Sequence, residues 1–212
     1  MAEIAAKDSK SQIRRFIYAS SSSVYGEAES FSITEEHTTS SRTIYGKTKL
    51  IGEECLKFAG NKLDVIVLRK SNLYGYGLTW KGKTVIDSFI KSYLDKQPIK
   101  INGNGTQKRD FVHIMDICSL YSRIARSRKA RTGIYNVGGP ETLSMNRLAN
   151  MVNEIGLDIF GYTVPITYLP QDNGSAWHDF VYDCQKARME FQYVPKFTID
   201  YYVRERMLIA LR

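Results

Sequence analysis

Ile13-Arg14-Arg15-Phe16-Ile17-Tyr18-Ala19-Ser20-Ser21-Ser22-Ser23-Val24-Tyr25-Gly26 is the stretch from which the fold is read. Aromatic and β-branched residues dominate its first half, so residues 13–19 predict a strand. The four serines have the composition of a linker. The run is short, however, and closes on Val-Tyr-Gly, which fits a loop at the end of a strand. Outward from here, residues 1–10 read as a helix leading into the strand, and 27–44 as surface loop. Residues 45–59 read as a helix with apolar Leu50, Ile51, Cys55, Leu56 and Ala59, stopped by Gly60-Asn61.

The alternation continues. Residues 65–68 are an unbroken apolar run, as expected of a buried strand. Residues 85–95 carry Val85, Ile86, Phe89, Ile90, Tyr93 and Leu94 on one helical stripe. Strands follow at 99–101, 134–137 and 166–169. Helices follow at 115–128, at 143–155 (opened by Thr142 or Ser144) and at 184–191. Strand and helix in turn predict an α/β fold with a mainly parallel sheet. No internal repeat is present.

The chain has 212 residues, 43% hydrophobic and 25% charged, as in ordinary globular proteins. That length predicts one domain and a fraction of another. No apolar run is long enough for a membrane span, and the N-terminus lacks a signal peptide's apolar stretch. Cys55, Cys118 and Cys184 are too widely spaced for a zinc site or a disulfide framework, so no metal is expected. A reducing cytoplasm is the default. Thirty basic against 22 acidic residues leave a net charge of +8. The densest basic stretch, residues 123–131, closes a helix, where cations suit the macrodipole. No aromatic-interleaved basic stripe marks a nucleic-acid partner.

Tyr45-Gly46-Lys47-Thr48-Lys49 sets a phenol and an amine four residues apart, on one helical face. A free phenol titrates near pH ~10 and is a poor base at neutral pH. A neighbouring ammonium favours the phenolate, so such a tyrosine can exchange protons with a hydroxyl. The spacing alone also arises by chance on exposed helices. The serines gain weight because ligands of α/β sheets bind beyond the carboxyl ends of strands. Further strand-end segments follow: 68–75 (Leu-Arg-Lys-Ser-Asn-Leu-Tyr-Gly), 103–116 with Arg109, His113 and Asp116, and 134–138 (Ile-Tyr-Asn-Val-Gly).

In this order the segments resemble the extended short-chain dehydrogenase/reductases, and more closely the NAD-dependent epimerase/dehydratase family typified by UDP-glucose 4-epimerase. The resemblance runs from about residue 13 to 200. It implies Tyr45 as catalytic acid/base and Lys49 as the group that lowers its pKa and holds the nicotinamide ribose. It implies Ser21 as the catalytic hydroxyl, with Ser20 at the cofactor. Ser22, Ser23, Asn72 and Arg109 would bind substrate, Asn72 and Arg109 at its phosphates. His113 is expected to be structural. The cofactor implied is NAD, with NADP as alternative. The implied partner is a nucleotide sugar, and the complete protein would be a cytoplasmic homodimer. Ser22 and Ser23 replace the acidic residues of dehydratases, which favours an epimerase or a keto-sugar reductase. A non-catalytic sugar-nucleotide-binding remnant is the third reading.

The chain departs from the pattern in places. It has no Gly-x-x-Gly-x-x-Gly turn to cradle the cofactor pyrophosphate. It thus resembles the C-terminal two-thirds of such an enzyme, and is expected to be inactive alone and to bind NAD weakly. Residues 1–72 and 113–140 would be the remainder of the NAD-binding Rossmann domain. Residues 73–112 and 141–212 would form the substrate domain. Asn102 stands where epimerases carry an aromatic residue, and Asp172-Asn173-Gly174-Ser175 replaces an arginine-bearing stretch. Both changes imply altered substrate specificity.

Overall fold

A computed structural model describes residues 13–26, 32–58, 63–76, 84–170 and 179–211. The first sheet consists of β1 (Arg15–Ser21), β2 (Asp64–Lys70) and β6 (Gly133–Val137), in that order and all parallel. In β2, Val65, Ile66, Val67 and Leu68 are all buried, because the strand is covered on both faces. Val65 and Val67 meet Leu56 of α1 (Ile44–Lys57). Ile66 and Leu68 meet Ile117, Leu120 and Ile124 of α3 (Ile114–Arg126). The same core takes Ala187 and Phe191 from α5 (Gln185–Phe191).

A second core gathers α2 (Val85–Leu94), α4 (Met145–Phe160) and α6 (Ile199–Ile209). Two small sheets flank it. In one, β5 (Lys108–His113) pairs parallel with β3 (Asn72–Tyr74) and antiparallel with β7 (Thr142–Ser144). In the other, β4 (Ile99–Asn102) pairs parallel with β8 (Ile166–Leu169). The α/β class and the mainly parallel pairing are therefore as expected, although the strands form three sheets rather than one.

Several local expectations are corrected. The helix expected from residue 143 begins at Met145, because residues 142–144 pair with β5. Ser144 is its N-cap, accepting from the Arg147 amide at 3.1 Å, and the helix runs on to Phe160. The helix expected at 115–128 spans Ile114–Arg126 and is capped by His113, whose Nδ1 accepts from the Met115 amide at 3.2 Å. Burial lowers the His113 pKa, and the ring stacks on Phe197 at 4.5 Å. The helix expected at 1–10 and the Gly60-Asn61 stop lie outside the described residues. No helix among the described residues is long and apolar enough to cross a membrane.

Candidate active site at the strand ends

The carboxyl end of β1 delivers the serines. Ser21 is its last residue, and its Oγ accepts from the Ser23 amide at 3.2 Å, capping a single 3-10 turn over Ser22–Val24. Ser20 points the other way, since neighbours along a strand face opposite sides. It is fully buried, and its hydroxyl donates to Glu53 Oε1 at 2.5 Å. Its hydroxyl is thus engaged inside the protein.

The helix bearing Tyr45 and Lys49 is set against this turn. Thr43 caps it, accepting from the Gly46 amide at 3.0 Å. At Gly46 a Cβ would stand 2.4 Å from the Ser23 carbonyl oxygen, so only glycine admits the helix this close. Tyr45, in the first turn, is 55% exposed. One turn later the Lys49 ammonium donates to the Ala19 carbonyl at 2.9 Å and lies 5.5 Å from the Tyr45 ring centroid.

Beside the turn opens a cleft of about 290 Å³. It brings together Ser22, Ser23, Asn72 and Arg109, the four residues expected to bind substrate, and adds Arg42 and Phe180. Ser21, Tyr45 and Lys49 are not part of its lining. Asn72 Nδ2 donates to the Asp110 carbonyl at 2.9 Å, which fixes the side chain at the rim. Arg109 donates to the Lys108 carbonyl at 2.8 Å. Burial lowers its pKa, and Asp179 opposes that.

Two features escaped the sequence reading. Arg42 lies three residues before Tyr45 in a polar loop, with no local signal to single it out. Glu53 follows Lys49 by one further turn on the same helical face. It is buried and gripped by Arg69, whose Nη2 donates to Oε2 at 2.7 Å.

The NAD dependent epimerase/dehydratase family matches over residues 1–138. The chain belongs to this family. A crystal structure of UDP-glucuronic acid 4-epimerase from Bacillus cereus, in complex with UDP-glucuronic acid and NAD, superposes with a TM-score of 0.80 at 26% identity, covering 100% of this chain and 65% of that one. UDP-glucose 4-epimerase from Thermotoga maritima, with UDP-glucose, gives 0.82 at 25% identity, covering 100% and 68%. The Sinorhizobium fredii "Uncharacterized protein y4nG" is 31% identical over 205 residues, 88% of this chain and 50% of its own length. The chain spans about half the length of the curated relatives it matches. The two solved relatives hold nucleotide sugars, UDP-glucuronic acid and UDP-glucose, and NAD is the cofactor of the family.

Proposed function

We propose that the chain carries the Ser21/Tyr45/Lys49 machinery and substrate cleft of an NAD-dependent nucleotide-sugar 4-epimerase. The observation that carries this reading is the bond from Lys49 to the Ala19 carbonyl. It sets ammonium and phenol at the carboxyl end of β1, beside Ser21. The donor set fits NAD. Among the described residues one N–H of Lys49 is given to Ala19, which leaves two for the hydroxyls of a ribose. NAD, when bound, supplies the reversible hydride acceptor of the family's chemistry.

The chain's own residues do the rest. Tyr45 exchanges the proton of the sugar's 4-hydroxyl through its phenolic oxygen. Ser21 hydrogen-bonds the same oxygen and orients it. Asn72 and Arg109 hold the diphosphate, a guanidinium suiting that task by its planar donor fork. Ser22 and Ser23 line the sugar end, where they supply hydroxyls and no acid for eliminating water.

We also propose a division of labour. The β1–β2–β6 sheet with α1 and α3 serves the cofactor. The second core, drawn from residues 74–111 and 143–207, serves the substrate. Helix α5 goes with the cofactor part, because Ala187 and Phe191 pack into its core. A homodimer through α1 accounts for Ile44, Ile51 and Phe58, which stand exposed at seven-residue spacing along one helical face. A cytoplasmic location agrees with free cysteines and a nucleotide cofactor.

The test is conversion of UDP-glucose or UDP-glucuronic acid to the 4-epimer at millimolar NAD, with Tyr45→Phe as control. We attribute the inactivity expected of the chain alone to weak NAD binding, which millimolar NAD offsets, so that turnover then proceeds without net absorbance change at 340 nm and falls about 10²–10⁴-fold in the variant. Equal rates in the two proteins overturn the catalytic assignment. A net change at 340 nm identifies a reductase. Substrate binding without turnover identifies a non-catalytic remnant.

A further inference from the structure

Ser20, Arg69 and Asn136 are partners on one rung of the parallel sheet, and their side chains share its α1 face. All three are buried. Arg69 forms a two-pronged pair with Glu53: Nε donates to Oε1 at 3.1 Å and Nη2 to Oε2 at 2.7 Å. Ser20 donates to Oε1 as well, so both carboxylate oxygens are occupied. Glu53 sits one turn from Lys49 and two turns from Tyr45 on the same helical face.

The other flank of the guanidinium lies 4.8 Å from the Tyr25 ring centroid. Tyr25 closes the serine turn, its amide donating to the Ser22 carbonyl at 3.0 Å, and its hydroxyl donates to Asn136 Oδ1 at 2.6 Å. One buried guanidinium thus holds the helix by its edge and the serine turn by its face.

A buried ion pair is a poor way to gain stability, because desolvation offsets much of the attraction. It is a good way to fix geometry. Fork-to-carboxylate pairing is directional, and a helix that slipped by one residue would move about 1.5 Å and break it. Lysine, a point charge on a flexible stem, lacks that directionality.

We infer that Arg69, acting through Glu53 and Tyr25, is a positioning residue that sets the Tyr45–Lys49 helix against the serine turn. Its kinetic consequence rests on the epimerase reading above, whereas its geometric consequence does not. The test uses the full chain with Arg69→Lys, Glu53→Gln and, as a control of comparable Tm loss in the distant second core, Val152→Ala. Two readouts are taken: kcat and KM for epimerisation of UDP-glucose at millimolar NAD, and the ring resonance of Tyr45 in ¹³C-tyrosine-labelled protein, identified by its loss in Tyr45→Phe.

We expect Arg69→Lys to lower kcat at least tenfold, with KM changed less than threefold, and to shift the Tyr45 resonance. Val152→Ala, on the substrate side, should leave the Tyr45 resonance in place. The inference is overturned if Arg69→Lys leaves both readouts unchanged, or if Val152→Ala reproduces both at equal Tm loss. If the wild-type chain shows no turnover, the epimerase reading fails and the Tyr45 resonance alone decides the positioning. If Arg69→Lys does not fold, Glu53→Gln, which keeps the side-chain volume, decides by the same criteria.

Discussion

Lys49 reaches from the side of α1 to the carbonyl oxygen of Ala19, two residues before Ser21, and thereby ties the helix bearing Tyr45 to the end of the first strand. The bond is charge-assisted and half-buried, and such bonds contribute about 1.5–3 kcal/mol. Lys49→Met should therefore lower epimerase kcat/KM roughly ten- to hundredfold, beyond the loss of the ribose contacts. Circular dichroism should show an unchanged fold. Wild-type kinetics in the variant would detach Lys49 from the reaction.

Asp110 is buried beneath the loop after β6, accepting from the Gly139 amide at 2.9 Å. Burial pushes its pKa up to about 6, against the opposing hydrogen bond from the Gly139 amide. The folded pKa lies above the unfolded one, so the native state binds more protons between pH ~4 and ~6. Its contribution is largest below that window and is lost as pH rises through it. Asp110→Asn should remove up to about 3 kcal/mol of this pH dependence. Urea unfolding of both proteins at pH 4.5 and 7 measures the difference, and parallel pH profiles would refute it.

Gly156 lies where α4 crosses the ring of Tyr93, and a Cβ there would stand 2.1 Å from Tyr93 Cζ. In a free helix alanine is preferred to glycine by about 1 kcal/mol. Here Gly156→Ala should instead destabilise by about 1–3 kcal/mol through overpacking. That corresponds to a Tm loss of roughly 2–12 °C for a chain of this size. A raised Tm would show that the ring gives way freely.

Ile44, Ile51 and Phe58 are 83%, 62% and 81% exposed, an apolar row that water alone does not favour. Ile51→Glu should shift the sedimentation of the protein from dimer to monomer without loss of helix content. A wild-type monomer at micromolar concentration would exclude the proposed pairing through α1.

No Gly-x-x-Gly-x-x-Gly turn occurs anywhere in the 212 residues, so the chain lacks the usual cradle for a pyrophosphate. Calorimetric titration with NAD should give a dissociation constant weaker than micromolar. Submicromolar affinity would mean that other residues replace the turn.

Much of the fold was legible because burial leaves a mark in the order of residues. The run 65–68 reads as a strand covered on both faces, and the stripe from Val85 to Leu94 as an amphipathic helix. Helix α6 was legible but unread: Ile199, Tyr202, Val203 and Met207 are buried at helical spacing behind a Thr198 cap. Strand β5 was not legible. Its sequence, Lys108-Arg109-Asp110-Phe111-Val112-His113, is polar at first, and it becomes a strand because β3 and β7 pair with its two edges. At the candidate site, spacing drew attention to Tyr45 and Lys49, whereas Ser21 was singled out of four serines only by the resemblance to the family.

By itself, the sequence determined what local periodicity and short-range chemistry can carry: the α/β class, the main helices and strands, and family membership through ordered motifs. The tertiary structure alone decided which serine faces where. Ser20 and Ser21 are identical in type and adjacent in the chain, yet the pleat turns one toward Glu53 and leaves the other at the strand end. It alone paired Glu53 with Arg69, 16 residues apart, and gathered Ser22, Asn72 and Arg109 into one cleft. Those relationships depend on strand register and helix docking, which arise from contacts distant in the chain and leave no local pattern to read.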